Sequence, residues 1–158
     1  MSESRETRFA AIEAALGHSF SGEIKIGGNY VSVVRHGDQV FVSGQIPRVG
    51  IDVVVTGKVG AQVSVADAQR AAKICTMRAL ALLRQTLGSL DGVSRILRMT
   101  VFVQSAPGFG QQSEVADGAS ETLYAVLGEA GVHTRTSVGV AELPKNAAVE
   151  IDLIAAVV

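Results

Sequence analysis

A long alanine-rich helical segment, followed closely by an apolar strand segment, occupies the middle of the chain. Ser64, three positions before Asp67, is a helix-capping signal with Asp in place of the preferred Glu, and the helical pattern runs to about Leu87. The apolar stripe of this segment consists mainly of small residues: Ala68, Ala71, Ala72, Cys75, Ala79, Leu82 and Leu83. Such a face predicts a helix packed closely on a sheet. Residues 96–103 are apolar enough to be a central strand of that sheet.

Helix and strand patterns alternate through the rest of the chain. They are, in order, a helix at 9–16, a hairpin over 30–42, a strand or hairpin arm at 51–55, a helix at 113–129, and strands at 136–143 and 147–157. The last two strands flank a turn at residues 144–146 and are predicted to pair as a closing hairpin. This order predicts an α+β fold with the two long helices on one face of the sheet, plus an extra N-terminal helix.

Composition limits what else the chain can be. Its 158 residues suit one domain, and 47% hydrophobic with 18% charged residues predicts a packed core. A net charge of -1 leaves no basic surplus for phosphates, so nucleic acid is not an expected partner. A single cysteine, no recognisable signal peptide and no apolar run of bilayer length predict a cytoplasmic protein without membrane attachment. So low a charge also predicts apolar surface that further copies cover in a homo-oligomer.

Common catalytic motifs are not recognisable. The three histidines, His18, His36 and His133, are widely separated and none has a nearby His or Cys at ligand spacing, so we expect no metal site. Cys75 lies on the apolar helix stripe, where cysteine usually acts as a small hydrophobic residue. The glycine-rich segments 57–60 and 108–110 lack the dinucleotide and phosphate-loop patterns and are predicted to be turns.

Polar residues interrupt the two closing strands. Arg135 and Ser137 share one face of the first strand, and Glu150 lies on the less apolar face of the second. These residues indicate either the solvated face of an edge hairpin or a site where the guanidinium binds a carboxylate and the Glu handles the proton of a water. In a simple hairpin, Arg135 and Glu150 would lie roughly 20 Å apart along the strands. A shared site therefore requires another strand order or another subunit.

Five short motifs resemble, in order, the RidA/YjgF family of reactive-intermediate deaminases. They are Gly-Asn-Tyr at residues 28–30, Val-Ser-Gly-Gln-Ile-Pro at 42–47, Arg-Thr-Ser-Val at 135–138, Leu-Pro at 143–144 and Val-Glu-Ile at 149–151. The resemblance covers residues 28–158 as one domain and leaves 1–27 as an N-terminal helical extension. It implies a chorismate-mutase-like mixed sheet, assembled as a homotrimer with sites in the clefts between subunits.

The resemblance also implies a reaction and a set of site residues. The reaction is hydrolysis of a small 2-imino acid or its enamine to a 2-keto acid and ammonia, without a cofactor. Arg135 would bind the substrate carboxylate and Glu150 would position and deprotonate the water. Tyr30 and Ser43 would line the pocket, while Gly44, which has no side chain, would let the substrate approach the backbone closely. The carbonyl of Ser137 would help to hold the water.

Several positions depart from the family pattern. Asp117 stands where the family usually has Asn, and its carboxylate can compete with an anionic substrate for Arg135. Ser137 replaces a common Cys, and the segment 105–117 is longer than in compact members of the family. In this respect the chain is more similar to a longer subgroup of the family, whose activity is unassigned. The alternative function is a non-enzymatic trimer that binds small carboxylates or a protein partner. A ribonuclease activity is disfavoured, because the chain lacks a basic patch and a histidine acid–base pair.

Overall fold

The computed structural model of the chain describes residues 2–158, and Met1, the first residue of the predicted extension, lies outside them. The elements are α1 (Arg5–Leu16), β1 (Val33–His36), β2 (Gln39–Gln45), β3 (Arg48–Val49), β4 (Asp52–Val53), α2 (Val65–Leu87), β5 (Val93–Gln104), α3 (Gln112–Leu127), β6 (Thr134–Val140) and β7 (Val149–Val157).

The long helix α2 begins and ends where the sequence predicts. The hydroxyl of Ser64 accepts a hydrogen bond from the backbone N–H of Asp67 at 3.1 Å, which satisfies a free donor of the first turn. Gly88 ends the helix in the left-handed conformation at φ 81°, and its N–H donates to the carbonyl of Arg84. The predicted stripe, from Ala68 to Leu83, is buried.

Five strands form one mixed sheet in the order β1-β2-β7-β5-β6. Only β5 and β6 are parallel neighbours, while β3 and β4 form a separate small hairpin. α2 packs on β2 and β7, and α3 packs on β5 and β6, so both long helices lie on one face. The predicted α+β architecture is confirmed, including the central position of the apolar strand β5.

The predicted closing hairpin is wrong. β6 pairs in parallel with β5 at the edge of the sheet, and β7 inserts between β2 and β5, antiparallel to both. α3 connects β5 to β6, and a helical crossover joins parallel neighbours. Every second residue of β7 from Val149 to Val157 is buried, which suits a central strand, whereas no residue of β6 is fully buried. Burial therefore decided the strand order against the short turn.

The other face of the sheet carries no helix among the described residues. Val34, Phe41 and Val138, which project from this face in β1, β2 and β6, are 51%, 42% and 38% exposed. We call this surface the open face.

The extra N-terminal helix is also confirmed. α1 starts at the capping residue Ser4, ends at Gly17 and packs against α3 and α2. Its Phe9 is fully buried beneath the guanidinium of Arg84, 4.2 Å from the ring centre. α1 therefore belongs to the helical layer and does not cover the open face.

Candidate active site

One group of predicted site residues lies where β2 ends and β7 begins. Glu150 alternates along β7 with the buried Val149 and Ile151, so its side chain leaves the sheet on the open face. A Cβ added to Gly44 would stand 2.7 Å from Oε1 of Glu150, closer than real contacts allow. A glycine at position 44 thus gives the Glu150 carboxylate its space.

A β-bulge creates this close approach. The pairing of β2 with β7 shifts register between Val42 and Gln45, which places one extra residue in β2. Ser43 lies in the bulge, where its carbonyl and hydroxyl oxygens accept hydrogen bonds from Nε2 of Gln45 at 3.1 and 3.4 Å. Ser43 supports the bulge and does not itself line the adjacent cavity.

A cavity of about 220 Å³ opens beside Glu150. Tyr30, Gly44 and Glu150, three of the predicted site residues, line it. The remaining lining includes four cationic residues that were not predicted from the sequence, namely Lys25, Arg48, Arg78 and Lys145. The charged residues of this small cavity are thus mainly cationic, with one carboxylate.

The Glu150 carboxyl is poised for proton transfer. Burial raises its pKa above the ordinary value, and the neighbouring carboxylate of Asp152, two residues along the same strand face, raises it further. A carboxyl group with a raised pKa holds its proton more tightly and is a stronger base once ionised. This group is therefore suited to take a proton from a water in the cavity.

Arg135 belongs to a second group, on the helical side of β6. Its guanidinium donates to Oδ1 of Asp117 at 2.9 Å and to the hydroxyls of Ser120 and Ser113 at 3.0 and 2.9 Å, all on α3. Ser137 follows on the same face of β6. The Asp117 carboxylate therefore already neutralises the arginine that would bind substrate.

The two groups lie on opposite faces of the sheet in a single chain. β5 separates β6 from β7, and the residue beside Glu150 in register, Phe102, is paired in turn with Val138 rather than Arg135. Arg135 points to α3, while Glu150 points to the open face. One chain alone does not bring Arg135, Asp117 and Ser137 to Tyr30, Gly44 and Glu150.

Arg78, the most buried cation of the cavity, was not among the site residues predicted from the sequence. Arg78 lies within the apolar stripe of α2, three residues after Cys75, and is 4% exposed. A charged residue within an apolar helix stripe could have indicated this role, because an arginine is rarely buried unless it has partners for its charge. Its neighbour Arg48 directly follows the motif at residues 42–47.

The remaining candidates from the sequence are the single cysteine, a metal site and a membrane span. Cys75 is buried, where its thiol donates to the carbonyl of Val149 and burial raises its pKa, so it packs as a small hydrophobic group. Within residues 2–158, no three His, Cys, Asp or Glu side chains gather at a possible metal site. None of the helices in this range is both long and apolar enough to span a bilayer.

A mixed sheet with both long helices on one face is the fold of a YjgF-like protein. This chain belongs to that family, RidA/YjgF, because the family model for Endoribonuclease L-PSP matches residues 20–157. Protein TCP17 of Trypanosoma cruzi is 46% identical over 125 residues, 78% of each chain. The family resemblance of the sequence motifs is thus confirmed.

Solved structures agree in fold. The protein Atu1372 of Agrobacterium tumefaciens, of unknown function, is 40% identical with a TM-score of 0.83, covering 97% of each chain. YjgF of Escherichia coli is 25% identical with a TM-score of 0.60, covering 88% of this chain and 95% of its own. TdcF of E. coli, solved with bound serine, is 26% identical with a TM-score of 0.64 and the same coverage.

Proposed function

We propose that the chain hydrolyses small reactive 2-imino acids and their enamines to 2-keto acids and ammonia. The observation that carries this proposal is the partly buried Glu150 carboxyl, which faces a small cavity and whose pKa is raised. The bound serine of TdcF supports it, since a small amino acid resembles the proposed substrate in size and charge.

The proposed chemistry needs only positioning and one base. Glu150 takes a proton from a water, whose oxygen attacks the electrophilic carbon of the protonated imine. The resulting carbinolamine receives that proton from Glu150 on its nitrogen. As the carbon–nitrogen bond breaks, Glu150 takes the hydroxyl proton and passes it to the departing ammonia, which leaves the 2-keto acid and an ammonium ion. This hydrolysis consumes one water and transfers no electrons, so it calls for no cofactor.

We further propose that a homotrimer completes the site. Arg135 and Glu150 lie on opposite faces of one chain, so a shared site needs Arg135 from a second copy. The exposed apolar residues of the open face, Val34, Phe41 and Val138, favour burial against further copies. Glu150 on the same face would then lie at the border between subunits.

Mixed oligomers test this arrangement. Arg135→Ala should lower kcat/KM about tenfold or more, because a charge-assisted hydrogen bond to the substrate carboxylate is lost. Co-expression of Arg135→Ala with Glu150→Gln chains should restore about a quarter of the wild-type activity, because random assembly gives that share of the sites both native residues. The decay of imino acids made by an amino-acid oxidase in the assay measures the rate. No recovery in mixed trimers would contradict a site shared between copies.

Asp117 should restrain binding of anionic substrates. Asp117→Asn removes a negative charge 2.9 Å from Arg135 and keeps the side-chain size. We expect kcat/KM for imino acids to rise about two- to fivefold, the effect of an exposed ion pair. Asp91→Asn, an exposed site before β5, is the matched control. An unchanged rate in Asp117→Asn would mean that Asp117 does not face the bound substrate.

The alternative is a trimer that binds small carboxylates without turnover. The Arg135–Asp117 pair favours it, because a neutralised arginine binds a substrate carboxylate less firmly. Glu150→Gln separates the two functions: hydrolysis requires the Glu, whereas carboxylate binding survives its replacement. The family name refers to endoribonuclease activity, yet a net charge of -1 offers this chain little general attraction for RNA.

A further inference from the structure

Arg78 is a buried cation without a carboxylate partner. Its guanidinium donates to Oε1 of Gln45 at 3.3 Å and to the carbonyls of Arg48 and Lys25 at 2.8 and 2.9 Å. All three acceptors are neutral. Each terminal nitrogen carries two N–H groups, so one N–H on each remains beyond these bonds.

Arg48 adds a second unpaired guanidinium to the same cavity. Its Nε is buried and has no hydrogen-bond partner. The two residues are in contact, because Nη1 of Arg78 donates to the backbone carbonyl of Arg48. Burial lowers the pKa of Arg78, and the positive charge of Arg48 lowers it further. No ion pair formed by residues 2–158 includes either arginine.

The cavity therefore carries excess positive charge. Its lining includes the buried Arg78 and the half-buried Arg48, with the exposed Lys25 and Lys145 at the solvent side, against the single carboxylate of Glu150. Buried charges are costly unless an opposite charge and hydrogen bonds compensate them. A ligand with two negative charges would meet this excess better than a monoanion.

We propose that Arg48 and Arg78 bind a second carboxylate of the substrate, so that the preferred substrates are imino acids with an acidic side chain. This inference rests on the proposed function, because it orients the substrate with its reacting carbon at Glu150. The α-carboxylate then faces Arg135 of another copy, and the side-chain carboxylate enters the cavity. The volume of about 220 Å³ is below the roughly 300–1,000 Å³ of drug-sized sites, which suits a small dicarboxylate.

Equilibrium binding of two unreactive product analogues tests the inference without requiring turnover. 2-Oxoglutarate and 2-oxopentanoate have the same five-carbon chain and differ in the terminal carboxylate. Isothermal titration of the full chain should show 2-oxoglutarate binding about tenfold or more tightly, the effect of a charge-assisted hydrogen bond. Arg48→Gln should abolish this preference, because the affinity for 2-oxoglutarate should fall much more than the affinity for 2-oxopentanoate.

Two further variants sharpen the result. Arg35→Gln is the matched control, since Arg35 is exposed and pairs with Val40 at the other end of β2. It should retain the preference. Arg78→Lys keeps a charge but loses the planar fork, so it should weaken 2-oxoglutarate selectively if it folds. Circular dichroism and thermal unfolding check the fold of each variant.

The proposal is overturned by equal affinity for the two acids, by no binding of 2-oxoglutarate at millimolar concentration, or by an equal loss for both acids in Arg48→Gln. A preference for 2-oxoglutarate without imine hydrolysis would leave the arginine subsite standing and remove the proposed function. Imine hydrolysis without a preference for 2-oxoglutarate would support the proposed function and remove the arginine subsite.

Discussion

Replacing Glu150 with Gln is expected to lower the rate of imine hydrolysis about 10²–10⁴-fold, the usual contribution of a positioned general base. Gln keeps the size and hydrogen-bonding capacity of the side chain but cannot take a proton from water. The same oxidase-coupled assay measures the loss, with the oligomeric state checked by light scattering. Full turnover in Glu150→Gln would remove Glu150 from the mechanism.

The pH dependence of the wild type provides a second readout of this prediction. The pKa of Glu150 is raised, so hydrolysis should increase with pH as the carboxyl ionises above its ordinary range. Glu150→Gln should lose this ionisation step in the pH–rate profile. A profile unchanged by the substitution would mean that another group sets the rate.

The ionised Glu150 carboxylate makes the folded state less stable at neutral pH than at acidic pH. A carboxyl with a raised folded-state pKa binds more protons in the folded than in the unfolded chain, so stability falls as pH rises through the raised pKa. At pH 7, Glu150→Gln should therefore be more stable than the wild type, and below the ordinary Glu pKa this difference should vanish. Thermal unfolding at both pH values measures it.

Gly118→Val is expected to destabilise the fold by about 3 kcal/mol, the upper end of typical overpacking. A Cβ at Gly118 in α3 would stand 2.6 Å from the carbonyl oxygen of Gln69 in α2, and this backbone atom cannot rotate away. The two helices would have to separate. The midpoint of thermal unfolding should fall by roughly 6–12 °C for a chain of this size.

Gly22→Ala is the control for the Gly118 prediction, since nothing lies within 4 Å of a Cβ added there. It should leave the unfolding midpoint nearly unchanged. A Gly118→Val variant as stable as the wild type would mean that α2 and α3 tolerate a wider spacing.

Local chemistry made several elements predictable. Ser64 and Gly88 bound α2 as predicted because capping depends on atoms only a few residues apart. The second helix was predicted at 113–129 and spans Gln112–Leu127, since apolar periodicity is also a local property. The ordered motifs at Tyr30, Gly44 and Glu150 indicated residues that line one cavity.

Long-range packing decided the rest. The turn around Lys145 predicted a hairpin of β6 and β7. In the structure, β7 pairs instead with β2 and β5, which are distant in sequence, because this position buries its apolar face. That choice put Arg135 and Glu150 on opposite faces. Arg48 and Arg78 are thirty positions apart, and no pattern along the chain brings their guanidinium groups to one cavity. The sequence thus specified its helices, its family and individual site residues, while tertiary packing alone determined which charges meet.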